Sequence, residues 1–237
     1  MFKIEKLSKI YPGTDKGIRY LNLLLEPGDI CAFIGLNGAG KTTSLKSIVG
    51  IHPFDEGVVE LEGINLQENP QQYKSLMGYS PDTPDIYPNM TGKNYLELIG
   101  SMYEMDHNEM ELQLNILLKQ LDFKESVNDV ISSYSHGMRQ RLVLISLLMH
   151  NPKLIILDEP FVGLDPNATE FLKNEMKRRA SEGVIIIYST HVLEVAEKLC
   201  NRVVMIHKGR VAVNDSMENV TINKDLFSVF KDVTAHE

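Results

Sequence analysis

The stretch "ICAFIGLNGAGKTTSLKSIVG", residues 30–50, decides the fold. Residues 29–34 are almost continuously apolar, which is typical of a short strand buried on both faces of a sheet. The glycine-rich turn "GLNGAGKT" at residues 35–42 follows, and the next segment has helical spacing and ends at Gly50. A strand, a glycine-rich turn and a helix in this order predict an α/β fold with an anion site at the turn.

The turn at residues 35–42 fits the pattern G-x-x-x-x-G-K-[ST] in the expected context. Its glycines let successive backbone N–H groups point at phosphate oxygens, and the helix dipole favours negative charge there. Lys41 would reach the β- and γ-phosphates, and the Thr42 hydroxyl would ligate Mg²⁺. The alternative is a glycine-rich turn with a surface lysine. The sequence therefore predicts a nucleoside triphosphate site formed by Gly35, Leu36, Asn37, Gly38, Ala39, Gly40, Lys41, Thr42 and Thr43.

Two further strand ends carry candidate catalytic residues. "LIILDEP", residues 154–160, is a buried strand that ends in Asp158, which can hold Mg²⁺ directly or through water. Glu159 follows and can orient or deprotonate an attacking water. Alone, this would be a surface Asp–Glu pair, but the phosphate turn favours the functional interpretation. "YSTHV" places His191 beyond another buried strand, where ligands sit in parallel sheets; a helix cap or a partner for a carboxylate is the alternative.

The pattern of apolar residues divides the chain. Apolar residues at helical spacing occupy "NYLELIGSMYEM", "NEMELQLNILLKQLDF" and "MRQRLVLISLLMH", which predicts a helical insert at residues 84–150. The strands "KLIILDEP" and "GVIIIYST" flank a helical segment, which indicates a βαβ unit and a parallel sheet. A closing hairpin is predicted to turn at Lys208–Gly209. We expect a single domain, residues 1–237, in which residues 1–83 and 151–237 form the β subdomain and the core.

Composition limits the function further. The chain has 237 residues, 43% of them hydrophobic, and a net charge of −8, which argues against a nucleic-acid partner because phosphate contacts need clustered cations. Its apolar runs are too short to span a bilayer and its N-terminus is no signal peptide, so we expect a cytoplasmic protein. Cys31 and Cys200 are expected to be reduced thiols.

Together these motifs resemble the nucleotide-binding subunit of ATP-binding cassette (ABC) transporters over essentially the whole chain. Residues 35–42 resemble the Walker A motif, residues 154–159 the Walker B strand, "GLDP" at 163–166 the D-loop, His191 the switch histidine, and Tyr11 the aromatic residue on which adenine stacks. The resemblance implies a P-loop NTPase fold: a RecA-like core, an N-terminal antiparallel β subdomain and an inserted helical subdomain. It also implies an ATP hydrolase that uses Mg²⁺ and lies on the inner face of the membrane against a separate permease.

"YSHGMRQRL", residues 134–142, resembles the family's signature motif, usually Leu-Ser-Gly-Gly-Gln. In the family this motif binds the ATP held by a partner subunit, and two cassettes are arranged head to tail. The resemblance implies that Ser135 and Gly137 donate to γ-phosphate oxygens at the start of a helix predicted at 138–149. The sequence departs from the usual motif at Tyr134, His136 and Met138.

A second departure concerns the family's Q-loop glutamine, which is replaced by Asp82 in "GYSPDTPDIYP". Aspartate still offers oxygen to Mg²⁺, but it is shorter and cannot donate a hydrogen bond. Asp82 is either a γ-phosphate sensor and metal ligand or a turn residue before Pro84. The acidic residue followed by "IYP-x-x-TG" is similar to drug-, antibiotic- and peptide-export ATPases with a separate permease.

Two other classes compete with a transport ATPase. Soluble cassette ATPases of DNA repair, chromosome maintenance or translation typically carry coiled-coil inserts, zinc sites or tandem cassettes, and the sequence has no long heptad run, two cysteines and one Walker A motif. A P-loop kinase or GTPase is the third class, but "NKDL" at 223–226 lacks the aspartate of a guanine reader. The sequence does not identify the transported substrate, or whether the partner cassette is identical or different.

Overall fold

The computed structural model describes residues 1–84 and 86–235, which form one mixed sheet with helices around it. The strands of the described residues are β1 Phe2–Ile10, β2 Gly17–Leu25, β3 Ile30–Ile34, β4 Glu56–Leu61, β5 Ile64–Asn65, β6 Met77–Ser80, β7 Leu154–Asp158, β8 Ile185–Thr190, β9 Arg202–His207 and β10 Arg210–Ser216. The helices are α1 Lys41–Ile48, α2 Pro70–Ser75, α3 Gly92–Met102, α4 His107–Gln120, α5 His136–Leu148, α6 Pro166–Ser181, α7 Leu193–Leu199, α8 Met217–Thr221 and α9 Leu226–Thr234, with 3₁₀ turns at Ser126–Asn128 and Ile131–Ser133.

The sheet has the strand order β5-β4-β1-β2-β10-β9-β3-β8-β7-β6, and its two halves differ in direction. β1 pairs antiparallel with β2 and β4, which forms the predicted N-terminal antiparallel part. β3, β6, β7, β8 and β9 form the parallel part. Because β3, β7 and β8 are buried at every position, their continuous apolar runs are those of a sheet covered on both faces.

The register of the parallel strands brings the candidate residues to one edge. Ile34, which precedes the phosphate turn, pairs with Thr190, which precedes His191. Asp158 pairs with Ser189 of the neighbouring strand. Since parallel strands point their carboxyl ends the same way, the phosphate turn, the Asp158–Glu159 step and His191 are neighbours although they are far apart in sequence.

The helical segment holds α3, α4 and α5, and all the strands described lie outside residues 84–150. Side chains cap all three helices: Thr91 accepts from Asn94, Asp106 from Asn108 and Glu109, and Ser135 from Met138. The helix predicted to begin at residue 138 begins at His136, because the Ser135 cap fixes the first turn earlier than the apolar pattern indicated.

The rest of the fold agrees with the sequence in outline. The closing hairpin turns at Lys208 and Gly209, which have φ values of 46° and 71°. Cys31 and Cys200 are free and buried, as expected, although Cys200 ends α7 rather than lying within it. Strands β2 and β6 and the short helices α2, α7 and α8 were not predicted individually.

Candidate functional site

The predicted nucleotide residues meet in a cleft of about 400 Å³ at the carboxyl edge of the parallel strands. Its walls come from four separate parts of the chain. The cleft is lined by Tyr11, Lys16, Gly17, Asn37, Gly38, Gly40, Lys41, Thr42, Thr43, Asp82, Asp158 and Glu159. Ten of these twelve residues were predicted as site residues from the sequence; Lys16 and Gly17 were not predicted.

The phosphate turn owes its shape to close backbone contacts. Gly40 has φ +114° and begins α1, and a Cβ there would lie 2.6 Å from the carbonyl oxygen of Gly17. The Gly209 N–H donates to the carbonyl oxygen of Ala39 at 2.9 Å. A Cβ on Gly209 would also lie 2.7 Å from the Gly17 carbonyl oxygen, so the hairpin turn and the start of β2 hold the phosphate turn from outside.

Lys41 lies against the turn that it belongs to. Its ammonium donates to the carbonyl oxygens of Gly35 at 2.8 Å and Leu36 at 3.3 Å, and the residue is only 7% exposed. Burial lowers the pKa of Lys41, while the carboxylates of Glu159 and Asp158 act to raise it. The site therefore holds a desolvated cation beside glycines whose N–H groups suit phosphate oxygens.

Tyr11 lies at the mouth of the cleft next to α1. Its hydroxyl is 3.4 Å from the Thr43 hydroxyl, and its ring meets His52 edge-on with 6.1 Å between the ring centroids. These contacts position an aromatic ring beside the phosphate turn, where stacking on a base is possible. His52 was not predicted, because nothing in the local pattern of "GIHPF" indicates proximity to Tyr11.

Asp158 is the buried carboxylate of the site and is 1% exposed. One oxygen accepts a hydrogen bond from Ser189 Oγ at 2.5 Å, and the other is buried with no hydrogen-bond partner among the described residues. A buried carboxylate oxygen without a partner suits a hard cation. Within residues 1–84 and 86–235, no group of three or more His, Cys, Asp or Glu could hold a metal ion. The unpartnered oxygen of Asp158 therefore fits Mg²⁺ held together with nucleotide phosphates.

Glu159 and His191 form a pair at the ends of β7 and β8. His191 Nδ1 lies 2.9 Å from Glu159 Oε2, and the His191 side chain is 63% exposed. Glu159 adopts φ +48°, an uncommon conformation for a residue with a side chain, and its N–H donates to Ser189 Oγ at 2.9 Å. His191 is thus the partner of a carboxylate and not a helix cap, since Val192 is the N-cap residue of α7, which begins at Leu193.

Asp82 and the signature residues lie differently with respect to the cleft. Asp82 lines it, and its carboxylate also accepts from the neighbouring Thr83 N–H at 2.8 Å, as a turn residue does. Ser135 and Gly137 are not among the lining residues. The Ser135 hydroxyl caps α5 at 3.2 Å from the Met138 nitrogen. One chain therefore brings together every predicted part of the site except the signature turn.

Residues 18–162 match the family described as ABC transporter, and that segment is more than half of the chain. The chain belongs to the ABC transporter family. It is 34% identical to the ABC-type transporter ATP-binding protein EcsA of Bacillus subtilis (strain 168), covering 86% of this chain and 82% of EcsA. It is 31% identical to the SkfA peptide export ATP-binding protein SkfE of the same organism, covering 89% of this chain and 87% of SkfE.

Solved structures agree with this assignment. An ATP-binding subunit of an ABC transporter superimposes with a TM-score of 0.94 at 29% identity, covering 99% of both chains. A dimeric post-hydrolysis state of the ATP-binding cassette MJ0796, bound to ADP and Pi, superimposes with a TM-score of 0.82 at 23% identity, covering 92% of this chain and 99% of that one. The predicted P-loop NTPase fold is confirmed, and this ABC subunit is an ATP-binding protein and an ATP hydrolase.

The described part of this ABC subunit contains no helix that is both long and apolar enough to cross a membrane. The positioning groups that sequence reasoning missed are Ser189, Gly17 and Gly209. Ser189 offered a weak signal, because it lies two residues before His191 in "YSTH". Gly17 and Gly209 offered none, because their role depends on contacts between distant segments.

Proposed function

We propose that this ABC subunit hydrolyses ATP to drive a separate transmembrane permease, as part of an exporter. The observation that carries the catalytic part is the Glu159–His191 pair, 2.9 Å apart beside the phosphate turn. Glu159 accepts a proton from, or orients, the attacking water. His191 holds that carboxylate in place and supports the γ-phosphate.

The other site residues bind and position the nucleotide. Tyr11 stacks on adenine, residues 35–43 surround the phosphates, and the Lys41 ammonium leaves its carbonyl partners for phosphate oxygens. Thr42, Asp158 and Asp82 would hold Mg²⁺, which would neutralise negative charge on the phosphates. Asp158 supplies its unpartnered oxygen for this purpose, while Ser189 keeps the other oxygen fixed.

We propose further that the subunit works head to tail with a second ATPase subunit, either a copy of itself or a different cassette. Ser135 and Gly137 lie outside the cleft of their own chain, so they are available to a nucleotide held by a partner. Backbone N–H groups at the start of α5 suit a γ-phosphate there. The dimeric state of MJ0796 supports the pairing of two subunits.

The permease partner is supported by the relatives. EcsA is named as the ATP-binding protein of an ABC-type transporter and SkfE as the ATP-binding protein of a peptide exporter, which suits an ATPase chain that works with a separate permease. The export direction is supported by the name of SkfE and by the "IYP-x-x-TG" sequence after Asp82. We place the subunit in the cytoplasm on the inner membrane face, without a nucleic-acid partner, since its net charge is −8. Residues 84–150 form its helical subdomain, and the remainder forms the β subdomain and the core.

The substitution Glu159→Gln tests the catalytic proposal. The amide is close in shape to the carboxylate but cannot accept the water proton, so we expect the hydrolysis rate to fall at least about 100-fold. ATP binding should persist, because Lys41 and the phosphate turn are intact, and ATP should trap a dimer visible by size-exclusion chromatography. Glu170→Gln, an exposed position on α6, is the matched control.

Turnover of Glu159→Gln at the wild-type rate would exclude Glu159 as the base. Failure of ATP to produce a dimer would contradict the head-to-tail pairing while leaving the chemistry intact. Affinity purification of the tagged wild-type protein from its own membranes tests the permease. A membrane protein with several predicted spanning helices is the expected companion, and recovery with DNA-repair or ribosomal proteins alone would contradict the transport proposal.

A further inference from the structure

His136, the residue that departs from the usual glycine of the signature motif, contacts a distant loop of its own chain. It is the first residue of α5, and its imidazole lies over Gly163 in the loop at 160–165 that follows Glu159. A Cβ on Gly163 would lie 2.8 Å from His136 Nε2, so a larger residue there would displace the ring. Gly163 also has φ +82°, which glycine adopts readily.

The contact is reciprocal. A Cβ on Gly137 would lie 2.6 Å from the carbonyl oxygen of Gly163. The ring of His136 thus lies against Gly163, and the peptide of Gly163 lies against Gly137, at a surface where His136 and Gly163 are themselves exposed. The backbone contact between Gly163 and Gly137 links the two turns, because neither peptide can move into the other.

A second link joins the same two segments further along α5. The Arg141 guanidinium pairs with the Asp165 carboxylate, and it also donates to the Leu121 carbonyl oxygen at 3.2 Å. Asp165 caps α6 by accepting from Asn167 and Ala168, and the Ala168 N–H is the main reason why the pKa of Asp165 is lowered. The loop at 160–165 is therefore fixed to α5 at two points.

The loop at 160–165 leads directly to the catalytic pair. The Val162 N–H donates to the Glu159 carbonyl oxygen at 3.2 Å, so the backbone of Glu159 is part of the same turn. The Glu159 carboxylate in turn holds His191 at 2.9 Å. A continuous set of contacts runs from the signature turn through Gly163 to Glu159.

We infer that His136 is a positioning residue that couples the signature turn of each subunit to Glu159 of the same subunit. The inference rests on the proposed pairing, in which that turn binds the nucleotide of the partner. When the partner's γ-phosphate docks against Ser135 and Gly137, it fixes the position of α5. The contact between the His136 ring and Gly163 then shifts the loop at 160–165 together with α5. The base of one site is therefore aligned when the opposite site is occupied.

The test compares His136→Ala with His136→Phe in the complete subunit. Removal of the ring should lower kcat about tenfold and reduce the Hill coefficient for ATP towards 1, because a displacement below 1 Å at a catalytic group is costly. ATP affinity of the isolated subunit should change less than twofold, since His136 does not line its cleft. Phenylalanine keeps a ring over Gly163 and should retain at least about half of the wild-type kcat.

His107→Ala is the matched control, because His107 is also the first residue of a side-chain-capped helix in the same segment and is exposed. Wild-type kcat and Hill coefficient in His136→Ala would overturn the inference. A loss in His136→Phe equal to that in His136→Ala would also overturn it, because the imidazole would then act by a polar contact. Glu159→Gln in the same assay separates this failure from a failure of the proposed function, which alone requires that variant to be inactive.

Urea denaturation supplies a second measurement that does not depend on activity. Gly163→Ala should lower the unfolding midpoint less in the His136→Ala background than in wild type, because the clash with the ring is gone and only the φ strain remains. Additive effects of the two substitutions would refute the contact itself.

Discussion

Ser189→Ala removes a side chain that hydrogen-bonds to both Asp158 and Glu159. The hydroxyl is fully buried, donates to Asp158 and accepts from the Glu159 N–H. A hydrogen bond to a charged group contributes about 1.5–3 kcal/mol and an ordinary one about 1 kcal/mol. We therefore expect the free energy of unfolding to fall by about 3 kcal/mol, or Tm by about 6–12 °C for a chain of this size.

Urea denaturation and thermal melting measure this loss without nucleotide. Ser80→Ala is the matched control, because Ser80 is equally buried on β6 of the same sheet but its hydroxyl has no partner among the described residues. That substitution should be neutral or slightly stabilising, since it removes an unsatisfied polar group. A loss below about 1 kcal/mol in Ser189→Ala, or equal losses in both variants, would refute the assigned hydrogen bonds. The hydrolysis rate should also fall in Ser189→Ala, because the Asp158 carboxylate and the Glu159 backbone each lose a fixed partner.

Two further predictions concern stability. His150 stacks on Tyr103, and burial lowers the pKa of its imidazole to about 4. The neutral, buried His150 therefore contributes fully to the free energy of unfolding above the unfolded pKa of about 6.5, and this contribution is lost as the pH falls to about 4. In urea titrations the free energy of unfolding of the wild type should fall by on the order of 3 kcal/mol over that pH range. His150→Phe keeps the stack and should lose less. Identical pH profiles for the two proteins would contradict the assignment. Glu175→Gln should lower the free energy of unfolding by about 3–5 kcal/mol, because it leaves Arg179 buried without its carboxylate partner. Arg178→Gln, at a side chain that is 51% exposed, should lower it by under about 1 kcal/mol. Equal losses in the two variants would contradict the burial argument.

The parts of the site that could be predicted are those encoded in contiguous sequence. Residues 35–43 combine a buried strand, a glycine turn and a helix start, so their local pattern indicates both structure and chemistry. The Asp158–Glu159 step follows an apolar run that can only be a buried strand or a short buried helix segment. In both cases the functional residue lies within a few positions of its structural signal.

The parts that could not be predicted depend on pairing between distant segments. β6 has only four residues, "MGYS", and is a strand because Tyr79 and its neighbours pair with β7. Ser189 is an ordinary strand residue until the register with Asp158 is known. The contact of His136 with Gly163 has the same origin, because the start of α5 meets the loop at 160–165 only after the helical segment has folded back on the core.

The conformation of Glu159 connects stability with function in this site. A left-handed residue with a side chain costs on the order of 1 kcal/mol or more, and glycine would remove that cost but also the carboxylate. The strained backbone persists because three fixed contacts hold it: Ser189 accepts from its N–H, Val162 donates to its carbonyl oxygen, and His191 binds its carboxylate. The contacts come from two segments, the end of β8 with Ser189 and His191 and the loop at 160–165 with Val162, so the position of the proposed base depends on both together. A base held in this way can be aligned or misaligned by small movements of either segment, which is the property that a subunit needs if hydrolysis is to wait for its partner.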